Sequence, residues 1–405
     1  MGQEKIDFRN PFRPGAGHMP PYLAGRDAEM NEFKRLLKQD VILENLILTG
    51  LRGVGKTVLL ETFKPAAIQE NWLWVSADFS ESLSVSEENL AIRIVADISI
   101  VTSTFSLTGP EKTGMGFNSA STSSLQPVNY EFLIAMYQQT PGMVADKLKA
   151  VLEFSWSILK SVGRRGLIFA YDEAQNLSDN ASKDQFPLSV LLDVFQSIQR
   201  KNIPFMLALS GLPTLFPKLV EARTYSERMF RIVLVDKLNR IHSAEAIKKP
   251  IQLNDCPVEF SDDAVEKIAD ISGGYPYFIQ FICREVYDIW IQQNAAGDGM
   301  SIPVTELTRK LDTDFFAGRW ARVTDRQREL LWVISSLPNA DMEFTVLEVV
   351  ESSGLLLEKG FSSSHANQIL VSLSNSGLVY KNRHGKYSFA VPLMSQFVKR
   401  HWSGI

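Results

Sequence analysis

Hydrophobic and polar positions follow two interleaved patterns over the first 239 residues. Short unbroken apolar runs recur at 46–48, 72–75, 167–171, 205–209 and 232–235. Runs of that length without a polar break are the signature of strands buried on both faces of a parallel sheet. Between them apolar residues return at helical spacing, with Met30, Phe33, Leu36 and Leu37 in one stretch and Val144, Leu148, Val151, Leu152 and Leu159 in another. The alternation predicts an α/β fold built on a parallel sheet. Residues 102–127, rich in Ser, Thr and Gly, predict a loop or small hairpin inserted into the sheet, and Pro141-Gly142 marks a second break. Residues 11–22, dense in Pro and Gly, should be extended and ordered only by lying on something.

From about residue 240 to 316 the pattern is helical throughout, and a third pattern begins at 319. Thr324 and Gln327 form a capping box ahead of Leu330, Leu331 and Ile334. A helix near 345–352 follows, then one at 363–374 with Ala366, Ile369, Leu370 and Leu373 inward, then a hairpin at 378–390. That succession predicts a winged helix. The expected division is therefore 1–239 for an N-terminal segment and the sheet domain, 240–318 for a helical region, and 319–405 for the winged helix.

The first chemical signal lies where the 46–48 run ends. Gly50-Leu51-Arg52-Gly53-Val54-Gly55-Lys56-Thr57 fits G-x-x-x-x-G-K-[ST], and Val58, Leu59, Leu60 and Phe63 then resume at helical spacing. Glycines permit positive φ and remove side chains, so successive N–H groups can turn inward around phosphates. In that cradle Lys56 reaches the β and γ oxygens, Thr57 ligates Mg²⁺, and the start of the following helix adds its positive end.

The second signal is the 167–171 run, which delivers Asp172 and Glu173 to its carboxyl end, where parallel sheets bind ligands. Asp172 suits a role at Mg²⁺, direct or through water, and Glu173 could polarise the water that attacks a γ-phosphate. A strand ending in two acids is weak evidence alone, because helix N-termini also attract acids. Downstream of a phosphate loop it becomes strong. Ser210, at the end of the 205–209 run, could sense the γ-phosphate or hold the water, and could equally be a cap or turn serine.

Composition narrows the setting. A chain of 405 residues with 45% hydrophobic content can hold several domains, and a net charge of −4 excludes a protein coated all over with nucleic acid while leaving room for a local basic patch. Cys256 and Cys283 form no metal spacing with the five scattered histidines, which suits a reducing compartment. The first residues lack the apolar stretch of a secretory signal, and no apolar run reaches membrane-spanning length. A cytoplasmic protein is expected.

Gly25-Arg26 before the loop, the loop itself, Asp172-Glu173, Ser210 and Gly274-Tyr275-Pro276 together resemble the origin-recognition-like and STAND branches of the AAA+ ATPases. The chain looks most like bacterial proteins that join an origin-recognition-like ATPase domain to a C-terminal winged helix. The resemblance implies a helical lid at 240–318, ATP with Mg²⁺ as the ligand, and slow hydrolysis used as a switch. It also implies that Tyr22, Leu23 and Arg26 line the base side of the nucleotide, with Pro276 on the lid side. Many AAA+ lids place an arginine near the γ-phosphate. The stretch Gly273-Gly274-Tyr275-Pro276-Tyr277-Phe278 has none, and its Gly-x-Pro form is the one associated with STAND switches.

An arginine from elsewhere could complete the site. Arg228 matches the place where relatives carry an arginine aimed at a neighbouring subunit's phosphate, which would make a nucleotide-dependent homo-oligomer. Arg223 and Arg231 are substitutes, and surface pairing with Glu221 or Glu227 is the plainer alternative. In the winged helix, the outward His365, Gln368 and Ser372 can hydrogen-bond base edges but cannot neutralise phosphates. Lys381, Arg383, His384 and Lys386 supply the cations of the wing. From Arg319 onward there are ten Lys or Arg against seven Asp or Glu, a mild excess that suits double-stranded DNA or a protein partner about equally.

Overall fold

The computed structural model describes residues 9–15, 17–108, 125–256, 259–296, 302–383 and 385–402. The chain forms two compact units, one of Asp27–Thr49 with Leu59–Leu234 and one of Met1–Arg26, Gly50–Val58 and Val235–Ile405.

The first unit is built on a sheet. In chain order its elements are α1 (Asp27–Leu37), β1 (Asn45–Thr49), α2 (Lys56–Gln69, whose first three residues belong to the other unit), β2 (Trp72–Asp78), α3 (Glu87–Thr102), β3 (Ser106–Thr108), β4 (Leu125–Pro127), α4 (Tyr130–Gln139), α5 (Val144–Ser161), β5 (Gly166–Asp172), α6 (Pro187–Arg200), β6 (Phe205–Gly211), α7 (Leu215–Ala222), α8 (Ser226–Met229) and β7 (Phe230–Leu234). Five strands form one sheet in the order β2-β5-β6-β1-β7, with every pairing parallel. Residues of β1, β5 and β6 are buried at every position, which is why their sequences show no alternation. One buried amide fastens the amino-terminal edge: Asn45 donates to Gln199 Oε1 (3.3 Å) and the Met229 carbonyl (3.2 Å) while accepting from the Leu207 N–H (2.8 Å). On the outer layers, the rings of Phe33 in α1 and Phe63 in α2 stack at 4.3 Å, and α3, α5 and α6 pack Ile94, Leu152 and Phe195 into one apolar core.

The expected strands are all present, but each runs one to three residues beyond its apolar run on at least one side, except that β7 ends before Val235. The polar residues at strand ends, such as Ser76, Asp78 and Ser210, broke the pattern without breaking the ladder. The insertion is a hairpin at its base, with β3 antiparallel to β4. Residues 109–124 of that insertion lie outside the described residues.

The second unit is mostly helical: α9 (Arg240–Leu253), α10 (Asp262–Ser272), α11 (Pro276–Ala296), α12 (Val304–Leu311), a π-helical turn at Asp312–Ala317, α13 (Gly318–Trp320), α14 (Asp325–Ser336), β8 (Phe344–Thr345), α15 (Val346–Leu356), α16 (Ser363–Asn375), β9 (Val379–Arg383), β10 (Lys386–Phe389) and α17 (Met394–His401). The Pro- and Gly-rich N-terminal segment lies on this unit as expected. Phe12 is buried against Phe260 and Tyr287, Asn10 donates to the Arg284 carbonyl and Asp288, and the Arg13 N–H donates to Gln280. At the C-terminal end, the capping box at Thr324 and Gln327 forms, Ala366, Ile369, Leu370 and Leu373 are buried, and β8, β10 and β9 make a three-stranded antiparallel sheet. Among the described residues, no helix is long and apolar enough to cross a membrane.

Candidate active site

Within the second unit, residues 50–55 form the loop that follows β1 in the chain, and Lys56 is the first residue of α2. Gly53 and Gly55 have φ of +78° and +91°, a region in which a β-carbon is strained, so both positions require glycine. Around Gly55 the space is open: a β-carbon there would meet nothing within 4 Å. Lys56 turns its ammonium back into the loop, donating to the carbonyls of Gly50 (3.0 Å) and Leu51 (2.9 Å). The loop is held from two sides. Arg26, buried, donates to the carbonyls of Val54 (2.9 Å) and Asp236 (2.7 Å), and the Tyr277 N–H donates to the Gly53 carbonyl (3.1 Å). The N-terminal segment also reaches it, since a β-carbon on Gly17 would stand 3.4 Å from Thr57 Cγ2.

Arg26 thus acts on the loop backbone. Tyr22, Leu23 and Pro276 are half-buried in the same unit, Pro276 as the first residue of α11. Tyr277, one residue on, was not singled out from sequence, because a backbone N–H leaves no trace in residue type. Arg26→Ala removes donors to two carbonyls. At about 1.5 kcal/mol for one such charge-assisted bond, affinity for a fluorescent ATP analogue should fall about tenfold. Unchanged affinity in an equilibrium titration would show that Arg26 does not shape the loop.

In the sheet unit the acids stand at the carboxyl edge. Asp172 is the last residue of β5 and is 6% exposed; one of its oxygens accepts the Glu173 N–H at 2.8 Å. Glu173 takes a left-handed conformation, φ 51° and ψ 33°, which is uncommon for a residue with a side chain and costs about 1 kcal/mol or more. That turn leaves its carboxylate exposed at the strand end. On the next strand Ser210 lies inside β6, so it is neither a cap nor a turn residue. Its hydroxyl and that of Thr49, on neighbouring strands, are buried and have no hydrogen-bond partner among the described residues. A buried hydroxyl left so costs about 1–3 kcal/mol, which a polar ligand at this edge would recover. At this edge the orphaned oxygens and the Asp172 carboxylate fit a polar, cation-bearing ligand, and in the other unit the inward-turned Lys56 ammonium and the open loop fit phosphate.

The three arginines near β7 differ. Arg223 grips Asp193 with two nitrogens (2.9 and 2.7 Å) and also reaches Ser189, and Arg231 pairs with Glu32 at 3.0 Å. Burial pushes the Asp193 carboxyl up, but the Arg223 and Tyr225 hydrogen bonds outweigh it and hold the group below its ordinary value. Arg228 is exposed on α8, and no ion pair engages it among the described residues.

The AAA ATPase domain family matches residues 22–220, a stretch holding the loop, both acids and Ser210. Residues 22–220 are thus similar to an AAA ATPase domain. The chain's fold is that of the origin-recognition-like AAA+ proteins. The Walker-type ATPase PABY2304 of Pyrococcus abyssi is 15% identical, covering 93% of this chain and 96% of its own, with a TM-score of 0.58. The ORC2 protein of Aeropyrum pernix in its ADP form is 15% identical, covering 96% and 98%, with a TM-score of 0.53. Its ADPNP-ADP complexes give 14%, 96% of each chain and 0.51. Residues 313–398 match a Domain of unknown function (DUF8462). No curated protein matches the sequence.

Outside residues 22–220, the residues expected to carry the cations of a wing differ in their surroundings. Lys381 is exposed, whereas Lys386 pairs with Glu343 at 3.6 Å. The Arg383 side chain and His384 lie outside the described residues. On α16, Gln368 is exposed, Ser372 accepts from Gln327 at 2.9 Å, and the half-buried His365 ring packs 5.5 Å from Phe361.

Proposed function

We propose that the chain binds ATP with Mg²⁺, hydrolyses it slowly, and uses the cycle as a switch that acts on double-stranded DNA through its C-terminal winged helix. The observation that carries the enzymatic part is the strained, exposed Glu173 turn beside the orphaned Ser210 hydroxyl on the adjacent strand. Strain of this kind persists where a site uses it. Residues 50–58 would hold the phosphates, with Lys56 on the β and γ oxygens, and Tyr22, Leu23 and Pro276 toward the base. Thr57 and Asp172 would hold Mg²⁺, whose charge would offset that of the phosphates. Glu173 orients a water whose oxygen bonds to the γ-phosphorus as the bond to the bridging oxygen breaks. ADP leaves with that bond's electron pair, and the water's proton passes by way of Glu173 to the departing phosphate. Ser210 would hold the γ-phosphate or the water. Slow turnover is the reading because the Gly274-Tyr275-Pro276 stretch carries no arginine.

Arg228, exposed and without an ion pair among the described residues, suits a finger acting on a neighbouring copy. Hydrolysis per subunit should then rise with protein concentration, and Arg228→Ala should flatten the rise with little change in nucleotide affinity. A rate per subunit that stays constant across assembly removes the trans finger.

A second reading is a STAND-like signalling or defence switch whose winged helix makes protein contacts. The Lys386–Glu343 pair favours it, as do Leu347 and Leu355 on α15, 62% and 88% exposed. Fluorescence anisotropy with duplex DNA at low and moderate salt, with and without ATP, separates the two. Three phosphate contacts give a salt slope of about −3, so binding should need ATP-driven assembly and vanish when Lys381, Arg383 and Lys386 are all changed to Ala. No binding in any condition would leave the protein-contact reading.

A further inference from the structure

Gln175 lies two residues beyond Glu173, in the short 3-10 turn that follows β5, and it is half-buried. Its side chain is held at both ends. Oε1 accepts the Leu212 N–H at 3.0 Å, just past β6, and Nε2 donates to Glu173 Oε2. The orientation of the amide is fixed by chemistry. A backbone N–H can only donate, so the carbonyl oxygen must face Leu212, which leaves the NH₂ group for the carboxylate. A third tie holds the backbone, where Lys218 Nζ donates to the Gln175 carbonyl at 2.6 Å. Burial pulls the Lys218 ammonium below its ordinary value, against the attraction of Asp179 and Glu221.

The approach to β6 is close enough to dictate a residue there. A β-carbon on Gly211 would stand 2.6 Å from Gln175 Oε1, so only glycine lets the amide seat against the strand end. Gly211 directly follows Ser210. The two strand ends that offer Glu173 and Ser210 are therefore bridged by one amide. Without it, an exposed carboxylate on a left-handed turn would sample several rotamers, and a base displaced by about 1 Å can lose about a hundredfold in rate.

We propose that Gln175 is a positioning residue for ATP hydrolysis, holding the Glu173 carboxylate in one orientation by bracing it against the Gly211-Leu212 end of β6. The proposal rests on Glu173 acting on the attacking water. Gln175 acts through Glu173, its only side-chain carboxylate partner among the described residues.

The test is a kinetic cycle on the full chain with wild type, Gln175→Leu, Glu173→Gln and the double variant, with affinity for a fluorescent ATP analogue measured alongside. Gln175→Leu should lower kcat by about tenfold to a hundredfold while KM and nucleotide affinity stay within about threefold, because the ground-state contacts of the phosphates are untouched. In the Glu173→Gln background the same change should cost nothing further, since the group it positions is already disabled. Gln175→Glu keeps an acceptor for the Leu212 N–H but sets a carboxylate against Glu173. It should be as slow as Gln175→Leu with the thermal midpoint of wild type, and it carries the test if the leucine variant does not fold. A wild-type kcat in Gln175→Glu, or full additivity in the double variant, would overturn the positioning role while leaving Glu173 in place. Wild-type rates in Glu173→Gln would remove the reading beneath it as well.

Discussion

Lys56→Ala is expected to lose about a hundredfold in ATP affinity, the largest effect of any single change in the phosphate loop. The ammonium sits inside the loop, bonded to the carbonyls of Gly50 and Leu51, and its position as the first residue of α2 sets it against the positive end of that helix. Phosphate oxygens would take over those donors. Two charge-assisted bonds at about 1.5 kcal/mol each give the stated loss. The control is the thermal midpoint without nucleotide. It should change little, because Arg26 and Tyr277 hold the loop carbonyls independently of the lysine. Nucleotide affinity close to that of wild type would show that the loop binds no phosphate through Lys56.

The second large effect concerns the sheet unit. Asp97 on α3 is 2% exposed and takes bonds from Arg93 (2.8 and 3.0 Å) and from the Tyr171 hydroxyl (3.0 Å) on β5, next to the Asp172 turn. Burial raises the Asp97 carboxyl above its ordinary value, although Arg93 and Tyr171 pull it back, and burial likewise drives the Tyr171 hydroxyl far up. Arg93→Ala leaves the carboxylate buried beside a neutral phenol and should cost about 3–5 kcal/mol at neutral pH. The sign with pH follows from linkage. The folded carboxyl binds its proton more tightly than the unfolded one, so stability falls as pH rises from the ordinary carboxyl range through the raised value. The deficit of Arg93→Ala should thus be smaller at pH 4 than at pH 7, where chemical denaturation should show it in full. A deficit that is independent of pH would mean that the variant loses packing and not a charge partner.

Much of this was legible in the sequence, for identifiable reasons. The phosphate loop could be read because each of its positions is dictated by local chemistry, and the buried strands because their apolar runs are unbroken. The strand ends were not legible, since Ser210 has the same composition signal inside a ladder as at a turn. Its place in β6 depends on pairing with Leu48 of β1, 162 residues away in the chain. The resemblance implies Arg26 on the base side of the nucleotide, and its hold on the Val54 and Asp236 carbonyls was not legible because backbone acceptors leave no mark in residue type. Gln175 was in plain view within Asp172-Glu173-Ala174-Gln175. A glutamine carries no periodicity, and its partner at Leu212 is a backbone N–H, so nothing in the string marked it. Among the arginines around β7 the sequence favours Arg228 by its place ahead of the strand, but only the structure shows Arg223 and Arg231 paired and Arg228 exposed.

Glu173 is expected to act only after ATP is held. Binding of ATP and release of phosphate, measured on the same preparations of wild type and Glu173→Gln, test it most directly. Nucleotide affinities should lie within about threefold of each other, and phosphate release should slow about a hundredfold or more, the weight of a lost general base. Equal rates of phosphate release from the two proteins would contradict it.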